Sequence, residues 1–129
     1  MTILVDSSVL IDALRNRRGR TEFLELLTEH GHVLACCSVN ITEVYAGMRD
    51  SESAVTDKLL VTLECFPVTR DIARQAGLLK REWARKGVTI SYTDVTIAAV
   101  ALANGLSVLT DNVKDFPMPG LRLHPLPPA

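Results

Sequence analysis

Short apolar runs recur along this chain with helical patterning between them, and no other feature narrows the fold as much. The runs are Thr2–Asp6 (TILVD), His32–Cys37 (HVLACC), Cys65–Val68 (CFPV), Leu106–Asp111 (LSVLTD) and a candidate fifth at Gly120–Leu126 (GLRLHPL). Helices are expected over Ser7 to about Arg15, after Arg20, over Ser38 to about Arg49, Ser51–Glu64, Asp71–Lys86 and Tyr92–Asn104. In Asp71–Lys86 the apolar residues Ile72, Ala76, Leu79 and Trp83 repeat at helical spacing, and Gly87 stands just past the end, where helices commonly stop. Apolar strands joined by helices imply a parallel sheet covered on both faces, an α/β fold. Hydrophobic residues at 47% and charged residues at 22% agree with a folded globular chain. Residues 1–129 are read as a single domain, with ordered structure ending at the Pro-rich tail from about Pro125.

In parallel sheets, ligands sit beyond the carboxyl ends of the strands. Asp6 ends the first run in ILVDSSVLID, where an ordinary buried strand needs neither a carboxylate nor the two hydroxyls that follow. Thr110, Asp111, Asn112 and Asp115 follow the fourth run in TDNVKDF, although turn chemistry alone also favours Asp and Asn there. In NITEVYAGM a stripe of Ile41, Val44, Tyr45 and Met48 is expected to face the core, which puts Glu43 on the opposite side with Asn40 and Gly47. A mid-helix glycine costs about 1 kcal/mol against alanine, so Gly47 is explained if something approaches that face closely. Asp94 has capping-box spacing from Ser91, a structural role, yet it opens a helix so apolar that the acid is expected in a cleft.

Acids gathered on one rim repel. At about 4 Å and an effective dielectric of about 20, each ionised pair costs about 4 kcal/mol. Several can stay ionised together only with a bound cation, and oxygen donors without thiolate or imidazole point to Mg²⁺ or Mn²⁺. Such an ion suits phosphodiester hydrolysis.

Other chemistries find little support. Cys36, Cys37 and Cys65 are an odd set without a C-x-x-C, which reads as neither a disulfide framework nor a zinc site, and fits a reducing cytosol. His30 and His32 flank a glycine in a turn. No basic segment precedes the first apolar run and no run approaches the roughly 20 residues of a membrane span, so neither secretion nor membrane insertion is expected. The formal net charge of −1 argues against a generic nucleic-acid coat. A local basic stretch of Arg15, Arg17, Arg18 and Arg20 is either a solvated loop, a phosphate contact or a seat for an acidic partner segment.

Taken in order, LVDSSVLID, ITEVYAG, YTDVTIAAVA and VLTDNVKDF resemble the motifs of PIN-domain nucleases, and the short length and "DF" ending look most like VapC toxins of toxin–antitoxin pairs. The resemblance runs from Ile3 to Leu123. It implies a PIN-like three-layer α/β/α fold with a five-stranded parallel sheet, and Mg²⁺- or Mn²⁺-dependent cleavage of RNA. It also implies homodimerisation and a small VapB-like antitoxin. The family's acids match Asp6, Glu43 and Asp94, with Asn112 at the fourth position, Thr110 as a supporting hydroxyl and Asp115 as the alternative for an outer role. Two other readings stay open: a housekeeping PIN nuclease of RNA processing, and an inactive RNA-binding or scaffold module.

Overall fold

The computed structural model describes residues 1–128. Ala129, the last residue of the Pro-rich tail, lies outside the described residues. Five strands form one sheet: β1 (Thr2–Val5), β2 (Val33–Cys37), β3 (Glu64–Phe66), β4 (Ser107–Leu109) and β5 (Arg122–Leu123). Their order is β3-β2-β1-β4-β5, and every neighbouring pair is parallel. The helices are α1 (Ser7–Leu14), α2 (Arg20–Glu29), α3 (Ser38–Gly47), α4 (Ser53–Val61), α5 (Arg70–Arg85) and α6 (Tyr92–Asn104).

Strand side chains alternate between faces, and both faces are dry. Ile3 and Val5 point into one core with Val9 and Leu10 of α1, Leu24 and Leu27 of α2, Val44 of α3 and Leu60 of α4. Leu4 points into the other, with Ile72 and Ala76 of α5 and the apolar run Ile97–Ala101 of α6. Two layers of helix therefore enclose the sheet, which is the expected α/β/α arrangement. The chain runs outward from β1 through β2 to β3, then returns to place β4 on β1's other side. That reversal opens a crevice beyond the ends of β1 and β4.

Several local expectations are corrected. The helix expected over Ser51–Glu64 is a 3₁₀ turn at Asp50–Glu52 followed by α4, and Glu64 already belongs to β3. The helix from Ser38 stops at Gly47, because Met48 turns to extended backbone. Tyr45 leaves the expected core stripe and lies partly exposed, its hydroxyl donating to Asp57 Oδ1 at 2.6 Å. A Cβ on Gly47 would meet only Ile11 Cδ1 at 3.8 Å, an ordinary contact, so no close approach requires the glycine. The tail does not end ordered structure at Pro125: Leu126 packs on the core and the Pro127 carbonyl accepts from Arg20 at 3.0 Å.

Candidate active site

Asp6 leaves β1 and caps α1. Its Oδ1 accepts from the Ser7 backbone N–H at 2.8 Å, satisfying one of the donors a helix start leaves unpaired. Its Oδ2 accepts from the Thr110 hydroxyl at 2.7 Å, across the crevice at the end of β4. Its own N–H donates to the Leu109 carbonyl at 2.9 Å, so β1 and β4 remain paired up to the site. Only 4% of Asp6 is exposed. Thr110 is held in turn by the Asn112 N–H, which donates to its Oγ1 at 3.0 Å.

Glu43 joins through a serine. The Ser7 hydroxyl donates to Glu43 Oε1 at 2.6 Å and accepts from Asn40 Nδ2 at 3.0 Å. Asn40 is fully buried, and its Oδ1 accepts from the Cys37 N–H at 2.8 Å, which ties it to the end of β2. Ser7 and Asn40 were not singled out as site residues from the sequence. The available signals were a hydroxyl straight after Asp6, and an amide one helical turn before Glu43 on the same face.

Asp94 sits half-buried in the first turn of α6, its N–H donating to Ser91 Oγ at 3.0 Å as the capping spacing anticipated. Burial holds its carboxyl above the usual range; the Ser91 hydroxyl opposes this, and the charges of Asp6 and Asp115 add to it. Asp6 is also pushed up, first by burial. Hydrogen bonds from Thr110 and Ser7 resist that rise, while Glu43 and Asp111 reinforce it. Hydrogen bonds join Asp6 to Thr110 and, through Ser7, to Glu43, and Asp94 lies near enough to Asp6 and Asp115 for their charges to raise its pKa. Asn112 is different: its side chain lies on the exposed rim, and its backbone is what supports the site.

The basic stretch does not line this crevice as a free cationic patch. Arg15 pairs with Glu52 at 3.0 Å and holds that carboxyl down at about 2. Arg20, only 1% exposed, places Nη2 2.8 Å from Asp111 Oδ1 and also donates to the Arg18 and Pro127 carbonyls. Arg18 lies 3.1 Å from Asp111 Oδ2 and 3.5 Å from Asp12. Among the described residues only Arg17 of the four has no ion pair.

Whether this site suits a divalent cation can be judged from its charge. Asp6, Glu43 and Asp94 form no ion pair with any Lys or Arg among the described residues. Two of the three are held above their ordinary range. The donors are oxygens throughout, as Mg²⁺ and Mn²⁺ prefer. No three acidic, His or Cys side chains among the described residues are drawn tightly enough to hold an ion as they stand. The residues fit such a cation in the chemistry of their donors.

Comparison with known proteins agrees with the fold. The PIN domain family matches residues 3–117. Ribonuclease VapC10 of Mycobacterium tuberculosis is 38% identical over 116 residues, covering 90% of this chain and 86% of that protein. Ribonuclease VapC19 of the same organism is 33% identical over 115 residues, covering 89% and 92%. The crystal structure of DNA-bound VapBC from Salmonella typhimurium matches with a TM-score of 0.82 and 25% identity, covering 96% of this chain and 97% of that one.

Proposed function

This chain belongs to the PIN-domain family, and on that premise we propose that it is an endoribonuclease, the toxin of a VapBC-type pair, acting with Mg²⁺ or Mn²⁺. Its similarity to VapC10 and VapC19 supports the ribonuclease, and the structural likeness to VapBC complexes supports the antitoxin partner. One observation carries the metal: Asp6 and Glu43 are tied together through Ser7, and neither they nor Asp94 meets a neutralising Lys or Arg among the described residues.

In this reading Asp6, Glu43 and Asp94 would hold the ion, with Asp115 as a further acid near Asp94. When bound, the ion supplies Lewis-acid stabilisation of phosphoryl charge and lowers the pKa of water. The chain's own part is positioning. Thr110 and the Ser7 N–H orient the two oxygens of Asp6, and the Ser7 hydroxyl, fixed by Asn40, orients Glu43. Burial of Asp6 strengthens these contacts by excluding water from them. Asp94, in the first turn of α6, is more open to solvent than Asp6.

The antitoxin is read as a short segment whose C-terminal part covers the acids with a basic residue. A groove of about 600 Å³ lined by Leu14, Leu24, Leu34, Val55, Leu59 and Leu63, with Glu25 and Glu29 at its border, fits an amphipathic helix of that partner with basic flanks. The active species is a homodimer in the cytoplasm. No helix among the described residues is long and apolar enough to cross a membrane.

The deciding experiment incubates purified protein with RNA in Mn²⁺ or in excess EDTA, beside the Asp6→Asn/Asp94→Asn variant. Cleavage is expected only by the wild type with metal. Full activity in EDTA or in the double variant overturns the metal mechanism. Co-expression with the adjacent reading frame, followed by sizing, tests the partner; a monomer that captures nothing and leaves growth unaffected refutes the toxin assignment alone.

A further inference from the structure

Three cysteines stand free in this chain, and burial accounts for only two of them. Cys36 and Cys37 end β2 and are fully buried, where a thiol serves as a small apolar side chain. Cys65 is different. It is the middle residue of β3, a three-residue strand at the edge of the sheet, and it is exposed. What such a thiol can do depends on its neighbour.

That neighbour is set by the register. β2 and β3 run parallel with Cys36 directly opposite Cys65, between the pairs Ala35–Glu64 and Cys37–Phe66. Opposed residues of adjacent strands project to the same face of a sheet. Neighbouring strands lie about 4.7–4.9 Å apart, inside the Cα separation of about 4.4–6.8 Å that a disulfide spans. The two thiols lie within hydrogen-bonding reach of each other. Cys37 cannot compete, because successive strand residues alternate between faces. Cys36 packs in the core that holds Leu60 and Leu63, and Cys37 in the opposite one with Ile72.

We propose that Cys65 and Cys36 are a redox-responsive pair: a hydroperoxide oxidises the exposed Cys65, and the buried Cys36 then closes a disulfide that staples β3 to β2. With hydrogen peroxide, the Cys65 thiolate attacks one oxygen; an S–O bond forms, the O–O bond breaks, and two electrons pass from sulfur to oxygen. Hydroxide leaves and takes up the thiol's proton as water, with a sulfenic acid left on Cys65. Cys36 sulfur next attacks Cys65 Sγ, so that S–S forms and S–O breaks, and the departing hydroxide takes the Cys36 proton as a second water. Burial pushes the Cys36 thiol up to about 12, helped by the charge and hydrogen bond of Cys65. The closing step therefore sets the pace, since the thiolate is the nucleophile. The loop so closed carries α3, with Asn40 and Glu43, and α4, and the staple fastens both of its ends. Neither step touches the acids, so the outcome does not depend on the nuclease reading.

The test treats the purified full chain with a small excess of hydrogen peroxide and maps its peptides by mass spectrometry without reduction. The expected product is a Cys36–Cys65 cross-link within one chain, with Cys37 still free, that dithiothreitol reverses. Closing a loop of about 30 residues should raise Tm by about 10 °C over the reduced protein. Hydrogen exchange at the Glu64–Phe66 amides should slow with it. Cys37→Ala is expected to keep the bond, whereas Cys65→Ser loses both the bond and the response of Tm to peroxide. In Cys36→Ala the Cys65 sulfenic acid persists and is captured by dimedone. Wild-type Cys65 that passes unlinked to sulfinic acid, bridges two chains on a non-reducing gel or pairs with Cys37 overturns the proposal. A Cys36–Cys65 bond that leaves Tm unchanged or lowers it overturns the staple.

Discussion

Replacing Thr110 with valine removes the hydroxyl that joins β4 to Asp6 while keeping the side chain's shape. In the wild type this hydroxyl donates to Asp6 Oδ2 at 2.7 Å and accepts from the Asn112 N–H at 3.0 Å. Asp6 is 4% exposed, so water cannot take the hydroxyl's place. A hydrogen bond to a charged group contributes about 1.5–3 kcal/mol, and Thr110→Val is expected to lose about that amount at pH 7. With a urea m-value of about 2 kcal/mol/M, the unfolding midpoint falls by about 1 M, with m unchanged. The loss depends on pH in a definite direction. Folding raises the Asp6 pKa above 3.8, so the wild-type fold holds that proton more tightly than the unfolded chain. This linkage lowers stability as pH climbs from 3.8 through the folded value. Thr110 resists the rise, and valine pushes the folded pKa higher still. The deficit of the variant is therefore full above both folded pKa values. It shrinks to about 0.5–1.5 kcal/mol at about pH 3, where Asp6 is neutral and only an uncharged hydrogen bond is lost. Urea titrations at both pH values, with Thr110→Ser as rescue and Asp6→Asn to close a double-mutant cycle, make the measurement. A pH-independent deficit, or a double variant whose loss equals the sum of the singles, refutes the hydroxyl–carboxylate contact as the cause.

Asp94→Asn is expected to abolish cleavage yet stabilise the fold near pH 7, because burial and the neighbouring Asp6 and Asp115 penalise its charge. The gain should vanish as pH falls through the raised pKa toward 3.8, which thermal melts across that range will show. Arg20→Met should cost about 1.5–3 kcal/mol by removing its charged hydrogen bond to Asp111 and leaving only the more exposed Arg18 as that carboxylate's partner, whereas Arg17→Ala should stay within about 0.5 kcal/mol; chemical denaturation distinguishes them. Mn²⁺ titration calorimetry should find Asp115→Asn weaker than Asn112→Ala, since the Asp115 charge is near enough to raise the Asp94 pKa and Asn112 is exposed. Equal affinities in the two variants would return the fourth position to Asn112.

The sequence by itself determined what depends on neighbours along the chain. Alternating apolar runs and helical stripes specified a parallel sheet with two covered faces, because backbone pairing and burial impose periods of 2 and 3.6 on any segment that joins a core. Asp6 and Thr110 could be placed on one rim for the same reason: each directly follows a strand, and parallel strands end on the same side. Ser91 and Asp94 were legible as a capping pair because the cap is local. Tertiary structure alone decided which charges are spent. Arg20 looks like any loop arginine until the fold sets it against Asp111, 91 positions away, and against the tail carbonyl of Pro127. Tyr45 fits a core stripe by periodicity, but Asp57 on α4 draws its hydroxyl outward. Ser7 and Asn40 meet across 33 positions to join Asp6 to Glu43, and the order β3-β2-β1-β4-β5 puts the crevice between β1 and β4. Such pairings carry no periodic signal. They depend on where distant segments cross, and that is settled only when the sheet assembles and both cores close around it.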